Sequence, residues 1–414
     1  MIASILRSNR KRVFQNESGA NLLNGIASAL IQKSNLRGRL PYDYAIFEVD
    51  ENSLPHVLKE VTPTQIVLLN LFRDQLDRYG EVNSIILKWS QAFKQLDNRT
   101  MLILNADDPQ IAHLGSSSWS GNDHDRISSR KDSITPFQND RKVFFFGLDD
   151  PKIGKKELSH AVDSTYCPNC NSKLTYKAIY YSHLGDWSCP KCGEKRPKLS
   201  LSKWSAYPLP GVYNQYNTLA AVLSAKTIGI GTTQILHILE NFKPAFGRQE
   251  IIAIENKRVQ IFLSKNPTSF NESLRTIAEL KAKHLLIVLN DRIPDGRDVS
   301  WIWDVDFEEF INQFKNITIS GDRTYDMALR IKYALPCHPE LPPRIDLRVE
   351  TGDSGSPLVD SGSLSGMTTR IEPKLETAIK IALEKTPKSQ TLYILPTYSA
   401  MLEVRKILTG KKIL

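Results

Sequence analysis

Cysteine is scarce, with five in 414 residues, and a chain of this length cannot rest on so few thiols as a disulfide scaffold. Long apolar runs are missing too. No window approaches the roughly 18 to 20 apolar residues of a spanning helix, and the best, residues 285–289, has the length of a buried strand. An integral membrane protein is not expected. The apolar start, Met1 to Leu6, is too short for a signal peptide, and its charges, Arg7, Arg10, Lys11 and Arg12, lie on the wrong side. Secretion is not expected. Charge of one sign is also lacking. The 54 Lys and Arg against 45 Asp and Glu leave +9, which favours a nucleic acid, a phosphorylated substrate or an anionic bilayer without choosing among them. There is no internal repeat. The 41% hydrophobic, 8% aromatic and 24% charged residues fit an ordinary cytosolic protein of two to three domains.

Periodicity predicts a helix under way at 2–6, a strand from 12, a helix over 22–31 and strands over 44–49 and 66–69. A helix over about 82–93 and a strand over 100–104 follow. Alternating strands and helices imply a parallel sheet in an α/β domain of nucleotide-binding type. Residues 115–140, rich in Ser, Asp and Asn, form an inserted loop. A cysteine-bearing segment spans 160–198, and helices follow near 217–228 and 232–239. A second α/β series has strands over 259–263, 285–289, 317–320 and 391–395 and a helix over 400–408. The boundary between domains, 1–246 and 247–414, falls just before it. Residues 351–369 form another Ser/Gly loop.

Cys167-Pro-Asn-Cys170 and Cys189-Pro-Lys-Cys192, eighteen residues apart, bring four thiolates round one tetrahedral ion. Four thiolates close the coordination shell, so the site is structural zinc rather than catalytic metal. Cys337, isolated after Pro336, is a plain thiol. Three successive strand ends carry acidic or amide groups: Glu48, Asp50 and Glu51; Asn70 with Asp74 and Asp77; and Asn105, Asp107 and Asp108. Together they favour a metal and phosphate site at the crevice where open α/β sheets bind ligands. Gly352-Asp353-Ser354-Gly355-Ser356-Pro357 resembles the nucleophile loop of trypsin-like proteases, but lies in a low-complexity loop of an α/β domain without partnered His and Asp.

Several of these segments resemble the Mur ligase superfamily, the ATP-dependent amide-forming ligases of cell-wall synthesis. They are SGANLLNGIA, FEVDE, NLFRDQLDRYGE, LNADDP, the four-cysteine ribbon, YNQYNTLAA, PAFGRQE, KNPTSFNE, NDRIPDGRDVSWIWDVDFE and LPTYSAML. Within that superfamily the set is similar to the Mur ligase-like subunits of lipid II isoglutaminyl synthase. The resemblance implies an α/β fold: a central nucleotide-binding domain over 1–246 with an inserted four-cysteine zinc ribbon, then a Rossmann-like C-terminal domain. It implies ATP-dependent amidation of the D-glutamate α-carboxylate of lipid II, through an acyl phosphate, with ATP, Mg2+ and Zn2+. By the same resemblance Glu48 matches a magnesium-binding glutamate, and Asn214 and Asn217 an asparagine pair beside the adenine. Arg248 matches a turn near the nucleotide, and Asn266 a turn facing the γ-phosphate. Asp291, Arg292, Asp295 and Asp298 would face the cleft. Asp326 matches the aspartate that completes the Cys-His pair of a glutamine amidotransferase partner; a helix N-terminal carboxylate is the plain alternative. The implied place of work is cytoplasmic, with peripheral contact at the inner face of the plasma membrane and no nucleic acid.

One motif is missing. Mur ligases cradle the β- and γ-phosphates in a GxxGKT/S loop, and these 414 residues contain none. The family's loop directly precedes the helix that begins here at Met1, so the expectation is that the natural chain starts upstream. Two alternatives stay open: an amino-acid-adding ligase of the folylpolyglutamate type, and a non-enzymatic zinc-ribbon protein that binds nucleic acid through Lys173, Tyr176, Lys177, Tyr180, Tyr181, Trp187, Lys191, Lys195, Arg196 and Lys198.

Overall fold

The computed structural model describes residues 1–16, 20–72, 82–115, 141–158, 162, 164–242, 244, 248–335, 358–359 and 367–410, without the side chains of 248, 358 and 359. Outside these residues lie the insertion at 116–140, most of the NLFRDQLDRYGE motif, Cys337 and the 352–357 loop. The chain divides into two compact units, Met1–Phe242 and Lys243–Leu414.

In the first unit, β1 (Val13–Gln15) pairs in parallel with β2 (Tyr44–Ile46), and β3 (Gln65–Leu68), β4 (Met101–Asn105) and β5 (Val143–Phe146) form a parallel sheet. The β4 sequence MLILN is apolar because both faces are covered. Leu102 and Leu104 pack against the helix Val82–Lys94, while Ile103 meets the helix Val212–Thr227. An antiparallel hairpin, β6 (Thr175–Tyr181) and β7 (Leu184–Ser188), carries the cysteine segment. Two predicted boundaries move. The strand expected over 44–49 stops at Ile46, leaving Glu48 two residues beyond it. The helix expected from 217 begins at Val212, because Gly211, at φ 93°, turns the chain directly into it.

In the second unit seven strands are ordered β12 (Leu358–Val359), β13 (Thr368–Ile371), β11 (Asn316–Ser320), β10 (His284–Val288), β14 (Thr391–Pro396), β9 (Lys257–Phe262), β8 (Arg248–Ile254). The pairs are parallel except β8–β9 and β12–β13. Side chains alternate across β10, so Leu285 and Ile287 join the core under the helices Pro267–Glu279 and Thr324–Ala334. Leu286 and Val288 join the one under Leu375–Lys385 and Tyr398–Thr409. Thr368 and Thr369, expected in a Ser/Gly loop, instead begin β13, where pairing with β11 supplies the hydrogen bonds their sequence does not advertise.

Candidate active site and the four-cysteine centre

Glu48 is exposed just past β2, and its backbone is gripped by Asn16. The buried Asn16 amide donates to the Glu48 carbonyl at 2.7 Å and accepts the Glu48 N–H at 2.9 Å. It also donates to the Ala20 carbonyl at 2.8 Å. Trp89 Nε1 donates to the Glu51 carbonyl at 2.8 Å, so a carboxylate at a strand end stands on a fixed main chain. Asn16 has no motif to announce it, and sequence reasoning missed it.

The third acidic strand end behaves otherwise. Asn105, Asp107 and Asp108 are fully buried. Asp107 Oδ2 accepts from Leu148 N–H at 2.8 Å and Tyr216 O–H at 2.7 Å, and Oδ1 accepts from Arg196 at 3.1 Å. Burial pushes the Asp107 carboxyl up to about 6, against the pull of Arg196 and the hydrogen bonds. Asp108 caps the helix Pro109–Leu114, accepting from Gln110 N–H and Ile111 N–H, and holds Leu71 N–H at 2.9 Å. Asn105 donates to the Leu69 carbonyl at 2.7 Å. These groups are spent on the fold, which corrects their expected place in a metal and phosphate site.

The same strand end is the dock of the cysteine segment. Trp187 Nε1 donates to the Ala106 carbonyl at 2.9 Å, Gly185 N–H to the Asp107 carbonyl at 3.0 Å, and Glu194 meets His113 at 2.6 Å. Each CxxC is a knuckle of the same build. Asn171 (φ 55°) and Gly193 (φ 78°) follow the second cysteine of each pair and return their N–H to the Cys167 and Cys189 carbonyls. The four Sγ atoms lie within 4.8 Å of one another, with Cys167–Cys192 at 3.6 Å and Cys170–Cys189 at 3.4 Å. A tetrahedral ion with bonds of about 2.3 Å separates its sulfurs by about 3.8 Å, so the donor set fits zinc. A hydrogen bond from Ser172 lowers the Cys170 thiol, whereas burial raises those of Cys167 and Cys192.

The helix Val212–Thr227 carries the asparagine pair. Asn214 is buried, donates to the Pro210 carbonyl at 2.7 Å and accepts from Asn217 at 3.3 Å. In the second unit, Asn266 caps the helix Pro267–Glu279. Its side chain accepts Ser269 N–H at 2.8 Å, and Ser269 Oγ accepts the Asn266 N–H in return. Arg248 begins β8, and its side chain lies outside the described residues.

Asp291 accepts from Arg323 Nε at 2.8 Å, and Arg292 bridges Asp322 and Glu403. Asp295, expected to face a cleft, is buried and holds Ser399 through its backbone N–H and hydroxyl. Asp298 accepts Ser300 N–H at 2.8 Å, which lowers its carboxyl. Asp326 sits in the first turn of Thr324–Ala334, half exposed, 3.7 Å from Arg323. Tyr325, Leu329 and Tyr333 are exposed on that helix, and Trp303 packs its ring on Tyr333 at 5.8 Å. The structure thus groups Asp291 and Asp326 round Arg323 within one unit, and Asn214 with Asn217 in the other.

Residues 1–120 match the model of the Mur ligase middle domain and residues 263–401 that of the MurT ligase C-terminal domain. The chain is 33% identical over 353 residues to the MurT subunit of the glutamine-hydrolyzing lipid II isoglutaminyl synthase of Staphylococcus aureus strain COL, covering 81% of this chain and 74% of that protein. The chain belongs to the MurT family. The Streptococcus pneumoniae MurT subunit is 28% identical over 435 residues, covering 100% of this chain and 84% of its own. A pseudomurein peptide ligase type C from Methanothermus fervidus superposes with a TM-score of 0.64 at 21% identity, over 99% of this chain and 75% of that one. MurF from Thermotoga maritima in complex with ADP gives 0.54 at 13%, over 98% and 75%. These establish the Mur ligase fold. A MurT-family chain with this fold is an ATP-dependent, amide-bond-forming ligase.

Proposed function

We propose that this chain amidates the D-glutamate α-carboxylate of lipid II to D-isoglutamine in peptidoglycan synthesis, as the ligase subunit of a complex with a glutamine amidotransferase. The observation that carries the reading is the 33% identity across three quarters of the staphylococcal subunit. The substrate carboxylate attacks the γ-phosphorus of ATP and ADP departs; ammonia then adds to the acyl phosphate, phosphate leaves, and a proton is lost. Mg2+ would neutralise charge on the transferring phosphoryl group. Glu48, exposed on a main chain fixed by Asn16, is its carboxylate. By the family resemblance Asn214 and Asn217 serve the adenine, and Arg248 and Asp291 serve nucleotide binding. Asn266 presents a capped helix N-terminus suited to the γ-phosphate. Zinc held by Cys167, Cys170, Cys189 and Cys192 makes 160–198 a structural ribbon inside domain 1–246, ahead of a Rossmann-like domain 247–414. The place of work is the cytoplasmic face of the membrane.

Asp326 serves the partner's chemistry. A half-exposed carboxylate beside an unburied stripe of Tyr325, Leu329 and Tyr333 suits a protein interface, where Tyr and Trp are enriched. There it would orient the partner's His as the third member of a triad does. In the reconstituted complex Asp326→Asn should lose glutamine-driven amidation and keep ammonia-driven amidation. Equal loss of both, or of neither, counts against the role.

A further inference from the structure

The helix Leu23–Lys33 buries a single side chain, Ile26. Its contact side is held close by Gly25, where a Cβ would meet Ala20 at 2.8 Å. On the other side Leu23, Ala27 and Ile31 recur at i, i+4 and i+8 and stand in solvent, with Ile31 75% exposed. Leu22 precedes them, also exposed. Leu36 follows, fully exposed at the tip of a tight turn. Asn35 builds that turn, its Oδ1 accepting the N–H groups of Arg37 and Arg39 at 3.0 Å each, while Gly38 supplies the positive φ of 69°. The shape that lifts Leu36 out of the protein is therefore hydrogen-bonded.

The rim has one sign. Lys33, Arg37 and Arg39 are exposed and form no ion pair among the described residues. No carboxylate occurs between Ser18 and Tyr42. The stripe is aliphatic throughout, unlike the aromatic stripe beside Asp326, and Lys is depleted from protein interfaces. An anionic leaflet matches both features at once, taking Leu and Ile at the acyl boundary and Lys and Arg at the phosphates.

We infer that residues 22–39, the exposed aliphatic helix and its basic turn, dock this chain on an anionic bilayer, with Leu23, Ile31 and Leu36 inserted and Lys33, Arg37 and Arg39 on the headgroup phosphates. The inference concerns where the chain sits and does not depend on the reaction proposed above.

The test is flotation of the 414-residue chain with vesicles of phosphatidylglycerol and phosphatidylcholine, against vesicles of phosphatidylcholine alone. Binding is expected only to the anionic vesicles, with weakening in about 0.5 M salt. The pair Ile31→Asp, Leu36→Asp should lower it by about ten-fold or more, and Arg37→Gln and Arg39→Gln by roughly five-fold each. Both positions point to solvent, so thermal melting should not change. Failure to float, or equal flotation of the Ile31→Asp, Leu36→Asp pair, overturns the inference. So does self-association abolished by Ile31→Asp without flotation, which would assign the stripe to a second copy. Equal retention of wild type and Leu36→Asp on heparin without vesicle binding would make the turn a plain polyanion site and also overturns it. Amidation of detergent-dispersed lipid substrate should survive in these variants, so failure here leaves the amidation reading standing.

Discussion

Asn105-Ala106-Asp107-Asp108 and Asn290-Asp291-Arg292 both follow a central parallel strand, one in each unit, and as letters they are close to interchangeable. The fold uses them in opposite ways. After β4, the carboxylate oxygens of Asp107 and Asp108 accept hydrogen bonds in a site closed to water. After β10, Asp291 remains a quarter exposed and its arginine partner more so, while Asn290 alone is buried to tie Thr397, Ser399 and Asp322 together. An acidic group at a strand end is available for chemistry only when its lone pairs are not already engaged. Burial and donors decide that, and neither is written in the motif.

The largest break in this contrast comes from the metal centre, because the buried motif is where the cysteine segment docks. Cys167→Ser, or stripping with a chelator, should unfold the segment, since a small insert without a large core folds on its metal. Arg196 and Trp187 would then leave Asp107 and Ala106. Metal analysis should find one zinc per chain, and the variant should show new protease cuts within 160–198. A chain without zinc, or one whose cutting pattern is unchanged, removes the structural role.

Next in size, Asp107→Ala should cost about 3–5 kcal/mol in urea unfolding, because Arg196, Tyr216 O–H and Leu148 N–H all lose their acceptor in a dry site. The pH profile sharpens the point. The folded protein keeps the Asp107 proton after the unfolded chain has released it, so stability falls as pH rises from 3.8 to about 6. At about 1.4 kcal/mol per pH unit, the window is worth about 3 kcal/mol. The advantage of wild type over Asp107→Ala should therefore be largest below about pH 4 and smaller above about pH 6. A flat difference would mean that Asp107 stays ionised through that range.

The apolar frame was legible because β4, β10 and β14 are nearly continuous hydrophobic runs, the mark of strands covered on both faces. The cysteines were legible because two CxxC knuckles have few other uses. The hairpin strand β8 was not: RQEIIAI mixes charge and apolar residues at a sheet edge and takes its regularity from pairing with β9. Asn266-Pro267 carried an N-cap and a Pro at the first helical position, a signal for the helix Pro267–Glu279 that the sequence reading passed over for a phosphate-facing turn. The roles of Asn16, Glu194 and Arg196 depend on contacts far apart in sequence, and no local pattern encodes them.

The smallest effect on stability and the sharpest on function should come from Asp291→Asn. Its partner Arg323 is well exposed, and such a pair contributes little to folding, so the urea midpoint should hardly move. Arg323 also lies 3.7 Å from Asp326, which makes Asp291 either part of the nucleotide site or only an anchor for the arginine beside Asp326. The two roles separate in the reconstituted complex. A nucleotide-site Asp291 predicts that the substitution raises the KM for ATP and lowers amidation equally with glutamine and with free ammonia as nitrogen donor. An anchor predicts that glutamine-driven turnover alone falls, in step with Asp326→Asn, while ammonia-driven turnover and the KM for ATP stay put. We expect the first pattern, and the second would move Asp291 out of the nucleotide site and into the partner's.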